Sequence, residues 1–252
     1  QLAYEAAGKN INAEAEKFFT QAAKLYEGVL GRTDAATKEY KPDCYWGLGL
    51  IHYFRGDRLD AIKAFRTLAN DYPKNPNAGN AAMNSIQMIN QLIEIGPDTV
   101  EMRIELEKTI LVMLKIVGNQ PEALGYYSTL GENYIKLSDM VLEQKVAYID
   151  KAIAAYGKVP KTDALYTYAH YNMLDLEYEK LQATEEKDLD ATRDLMGRML
   201  RYGSFCYEWA KRGGGNSEKN EPTKEELGEW GAQVEFHAWI LRYDFLDGKD
   251  KA

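Results

Sequence analysis

Between Cys44 and Asn75 the chain reads CYWGLGLIHYFRGDRLDAIKAFRTLANDYPKN, with small residues at fixed offsets among large apolar ones. Gly49 follows Leu48, Ala61 precedes Phe65 on what would be the next helix, and Pro73 closes the stretch. Residues with almost no side chain let two helices approach closely while Leu48 and Phe65 fill the flanking grooves. The spacing predicts two helices of about a dozen residues each, split at Gly56-Asp57 and ended by Pro73.

The same organisation runs through the rest of the chain. Asn10 and Asn12 open a pattern in which Ala15, Phe18, Phe19, Ala22, Tyr26 and Leu30 recur three and four apart, as on one helix face. A linker rich in Thr, Asp and Lys is expected from there to about Pro42. Further helices are expected at about 77–95, 99–117, 122–137, 139–157, 164–182 and 187–211, punctuated at Gly96-Pro97-Asp98, Gly118-Asn119-Gln120-Pro121 and Val159-Pro160. Gly213-Gly214-Gly215-Asn216-Ser217 reads as a flexible loop, and a last amphipathic helix over about 223–246 lines up Leu227, Trp230, Val234, Ala238, Leu241 and Phe245. No period-2 run of β-branched residues persists, so the fold class is all-α, built of antiparallel helix hairpins.

Tyr45, Leu48, Gly49, His52, Ala61, Phe65 and Pro73 stand at the offsets of a tetratricopeptide repeat, and the segment resembles that family. A second match at Leu130, Gly131 and Tyr134 continues to Ala152, Tyr156 and Pro160 at a longer spacing, so its turn or its second helix must be longer. The resemblance implies a stack of about five hairpins, a TPR-like α-solenoid, over residues 1–212, then a loop at 213–222 and a capping helix with a C-terminal tail at 223–252. Trp230 and Trp239, on different sides of that cap, would offer a second contact. The stretch Ala61 to Ala81 also resembles the variety of this repeat found in bacterial periplasmic and outer-membrane-associated proteins, which tilts the expected compartment toward the cell envelope. Gln1, with no initiating Met or signal sequence, reads as a terminus left after removal of something upstream, so the compartment stays open.

In the repeat family the first helix of each pair lines a concave groove. Those positions fall here on Asp43, Trp46, Leu50 and Tyr53, and in the second match on Ser128, Glu132, Ile135 and Lys136. The Lys and Asn that let some members clamp a terminal carboxylate are replaced by Trp46 and Leu50, which suits an aromatic or aliphatic partner segment. The expected function is therefore protein binding or scaffolding within a larger assembly, with a protein or peptide as partner and homo-oligomerisation left open.

Other chemistry is weakly signalled. A net charge of −8 argues against a nucleic-acid partner, and no apolar stretch reaches the roughly 18 residues of a transmembrane span. Cys44 and Cys206 lack companions at metal-ligand spacing and read as core residues, a long-range disulfide being the alternative. His52, His170 and His237 are scattered over three helices without a ligand pair, so neither a metal nor a cofactor is expected. The acids Asp175, Glu177, Glu179, Glu185, Glu186, Asp188 and Asp190 read as solvated faces, and no catalytic residue or enzyme activity is expected. Tyr166, Tyr168, Tyr171 and Tyr178 read first as packing between helices. The alternative function is a small-ligand, transport-associated protein with a pocket around Tyr166, His170 and Tyr171.

Overall fold

The structure, a computed structural model, describes residues 12–183, 188–215 and 221–243, and within them the chain is all helix and turn with no strand. Asn10, Glu185, Glu186, Asn216, Ser217 and Phe245 lie outside the described residues. The helices group into two compact units that divide between Gln120 and Pro121.

The first unit holds α1 (Ala13–Leu30), the single turn α2 (Ala35–Lys38), α3 (Lys41–Arg55), α4 (Arg58–Asp71), α5 (Ala78–Ile95) and α6 (Val100–Val117). Asn12 starts α1 by accepting a hydrogen bond from the Ala15 N–H at 2.8 Å, and Thr99 does the same for α6 from Met102 at 3.3 Å. The expected linker before Pro42 contains α2, capped by Asp34. Pro42 sits inside the first turn of α3, where its missing N–H costs nothing. Between α3 and α4, Gly56 takes φ 83°, and the Gly56 and Asp57 N–H groups donate to the carbonyls of Tyr53 and His52 at 3.1 and 2.9 Å. That paired arrangement needs a residue free to adopt the left-handed region, which is why the hairpin turns at a glycine.

Each main helix of this unit packs on the next: α1 on α3, α3 on α4, α4 on α5 and α5 on α6. Gly49 of α3 lies on the ring of Phe65, which is fully buried; a Cβ at position 49 would come within 2.4 Å of that ring. Gly47 meets Tyr26 of α1 at the same distance. Arg55 reaches across from α3 to bond Glu16 at 2.6 Å and Thr20 at 2.8 Å, fixing the other end of α1.

The second unit holds α7 (Ala123–Met140), a 3-10 turn (Leu142–Gln144), α8 (Lys145–Tyr156), α9 (Tyr166–Ala183), α10 (Leu189–Lys211) and α11 (Lys224–Leu241). Gly131 of α7 rests on Tyr156 of α8, with a built Cβ 2.6 Å from the ring, the same glycine-on-aromatic relation as Gly49 and Phe65. The longer spacing here is absorbed in the first helix, the 3-10 turn and the second helix together. Asp188, exposed, caps α10, accepting from the N–H groups of Asp190 and Ala191 at 2.9 and 3.2 Å. Thr223 and Glu226 form a reciprocal capping box at the start of α11.

The last helix buries Leu227, Val234, Ala238 and Leu241 against Leu174, Met199 and Cys206 of α9 and α10, while Trp239 is 57% exposed. Its close approach to α10 uses two further glycines: a Cβ on Gly203 would meet Glu235 at 2.4 Å, and one on Gly231 would meet Cys206 at 3.1 Å. Both cysteines are buried and free. No described helix is long and apolar enough to cross a membrane.

Candidate functional site

Asp43, Trp46, Leu50 and Tyr53 fall three and four apart on α3 and so share one face. Asp43 is exposed, and the other three are half-buried. Trp46 spends part of its ring on the hairpin itself, tilted against Phe65 with centroids 5.1 Å apart, and Tyr53 meets Phe54 edge-on at 5.6 Å. The face thus offers one carboxylate and the outer edges of three large side chains, held by packing from beneath.

The corresponding residues of α7 divide differently. Ser128 is only 6% exposed, so it packs inside the unit and offers nothing to a partner, whereas Glu132 and Lys136 are exposed and Ile135 is half-buried. Although Glu132 as a residue is exposed, its carboxyl turns inward: burial raises its pKa, and the hydrogen bond with the Tyr168 hydroxyl pulls it back only in part.

The predicted tyrosine pocket splits in two because α9 turns its residues to opposite sides. Tyr166 and His170 line a cavity of about 280 Å³ between α9 and α10, together with Lys161, Thr167, Arg198, Arg201, Tyr202 and Phe205. Tyr171 is one residue further, about 100° around the helix, and faces α11 instead. Its ring stacks on Trp230 at 5.4 Å, and its hydroxyl donates to Gln233 Oε1 at 2.8 Å.

That second side carries a polar network that the sequence alone did not reveal. His237 Nδ1 lies 3.0 Å from Asp175, Gln233 Nε2 stands 3.4 Å from the same carboxylate, and Tyr178 stacks flat on His237 at 4.1 Å. Burial raises the Asp175 pKa, His237 opposes the rise, and burial pushes the Tyr171 phenol up to about 12. Tyr171, Asp175 and Tyr178 share one face of α9, and Trp230, Gln233 and His237 share one face of α11. Helical spacing on both elements was the signal that could have paired them. The network ties α9 to α11.

His52 sits 3.7 Å from Asp57 at the hairpin turn. No group of His, Cys, Asp and Glu able to hold a metal ion occurs among the described residues. The chain matches no family model and no curated protein.

Proposed function

We propose that the chain is a protein-binding module of the tetratricopeptide kind, in which the α3 face of Asp43, Trp46, Leu50 and Tyr53 receives an extended or helical segment of a partner. The observation that carries this reading is the recurrence of one steric relation, Gly49 on Phe65 and Gly131 on Tyr156, in two hairpins of unequal length. A relation repeated in that way supports a repeat architecture, in which first helices serve as recognition surfaces. Three broad side chains with little rotamer freedom to lose suit an apolar or aromatic partner segment, and Asp43 adds a preference for a cation beside it. On α7 the exposed Lys136 extends the proposal to a second, polar face, where the Glu132 carboxyl is held by Tyr168.

The test uses a photoreactive phenylalanine analogue in place of Tyr53, with the exposed Lys63 of α4 as the control position. Extract of the source cell should give a discrete crosslinked species from position 53 alone, and Asp43→Lys should abolish it without changing helicity. Equal crosslinking from both positions, or a product indifferent to Asp43→Lys, removes the α3 face from the function.

A further inference from the structure

The cavity between α9 and α10 has a charge pattern that its surroundings do not explain. All its charged lining residues are cations, Lys161, Arg198 and Arg201, and no carboxylate lines it, in a chain of net charge −8. Arg198 is already committed: Glu177 receives both ends of its guanidinium, and Asp194 accepts from Nε at 2.8 Å. Arg201, one turn further along α10, and Lys161, just ahead of α9, have no carboxylate partner among the described residues. The cavity on α4 and α6 in the first unit differs in that Asp71 joins its lining and two of its three cations, Arg66 and Lys108, pair with Glu105.

The remaining wall is aromatic. Tyr166 stacks on His170 at 5.3 Å with planes 10° apart, His170 meets Tyr202 edge-on at 5.2 Å, and Phe205 follows at 6.2 Å. Tyr202 cannot swing away: it is 5% exposed, and its hydroxyl donates to the Thr167 carbonyl at 2.7 Å. Burial, reinforced by Arg198, lowers the His170 pKa, so the imidazole contributes a neutral ring to this wall. A preformed flat apolar surface therefore stands beside two uncommitted cations. At about 280 Å³ the cleft is at the small end of ligand sites, the scale of a single small organic molecule.

We infer that this cavity is a binding site for a small organic carboxylate with a planar apolar body, the ring lying against Tyr166 and His170 and the carboxylate reaching Arg201 and Lys161. A guanidinium fork matches a carboxylate in two parallel hydrogen bonds, and the aromatic wall excludes water from the other end of the ligand. The site lies within the second unit and is independent of the α3 face, so either can fail without the other.

The test titrates the whole chain with phenylacetate, benzoate and indole-3-acetate, alongside neutral phenylacetamide and inorganic sulfate, by saturation-transfer NMR and thermal shift. At least one aromatic carboxylate should bind, with phenylacetamide about tenfold weaker or worse, since a charge-assisted bond is lost. Arg201→Gln, at an exposed position, should lower carboxylate affinity about tenfold or more and leave the melting of the free protein unchanged. Tyr166→Leu should weaken the aromatic acids and leave sulfate unaffected. Absence of binding by all three acids, equal binding of acid and amide, full affinity in Arg201→Gln, or sulfate binding as tightly as the acids would each overturn the inference.

Discussion

Replacing Gly49 by Ala sets two effects of known size against each other. Alanine is favoured over glycine within a helix by about 1 kcal/mol, so propensity alone predicts a more stable protein. The structure opposes this, since the new methyl would stand 2.4, 2.5 and 2.8 Å from three atoms of the Phe65 ring. That ring is fully buried with Trp46 tilted against it at 5.1 Å, so moving it displaces packed neighbours. Overpacking of this kind costs about 1 to 3 kcal/mol, and three contacts this short place it near the top of the range. The net expectation is a loss of roughly 1 to 2 kcal/mol. Gly28→Ala in α1 is the matched control, because nothing lies within 4 Å of a Cβ built there, and it should gain about 0.5 to 1 kcal/mol. Urea unfolding followed by circular dichroism and by tryptophan fluorescence measures both. In a Phe65→Leu background the same Gly49→Ala change should become neutral or stabilising, a coupling of about 1 to 2 kcal/mol. A rise in urea midpoint for Gly49→Ala in the native background, matching Gly28→Ala, would refute close approach as the reason for the glycine.

His170 should make the second unit acid-sensitive. Its folded pKa lies below the ordinary 6.5, through burial first and Arg198 next with Lys161 adding and Glu177 opposing, so the unfolded chain takes up the proton first. Its contribution is complete above about 6.5 and is lost as pH falls through the lowered value; His170→Gln should flatten urea midpoint against pH across that window, and an unchanged slope would count against it. Thr223→Ala removes the hydroxyl that accepts from the Glu226 N–H at the start of α11, leaves the Thr223 N–H bond to the Glu226 carboxylate, and should cost about 1 kcal/mol with faster amide exchange over residues 224–227, whereas Thr223→Ser should retain protection.

Helices were legible wherever the sequence itself carries their boundary chemistry. Asn12, Thr99 and Thr223 are caps whose side chains act within three residues, and Gly56 marks a turn that only a left-handed residue completes. The approach at Gly49 was readable because packing and spacing are one constraint there. The single turn α2 was missed, since four residues are too few to show a period. Ser128 was placed on a partner face by its offset, but the offset does not say what covers a face, and the fold covers this residue. Tyr171 was grouped with Tyr166 and His170 by composition, although helical geometry separates residues 170 and 171 by about 100°. The Asp175 and His237 pair joins positions far apart in the chain, and only the packing of α11 on α9 brings them to 3.0 Å.

The neck between α10 and α11 has a practical consequence. The Gly215 N–H donates to the Pro222 carbonyl at 2.8 Å, so the two helix ends are already clasped before any residue between them contributes. Chain added between those two residues would begin and end at one fixed point, and each doubling of such a loop costs only about 0.6 kcal/mol. This is where a reporter domain can be spliced into the protein while the α3 face and the cationic cavity keep their native sequence.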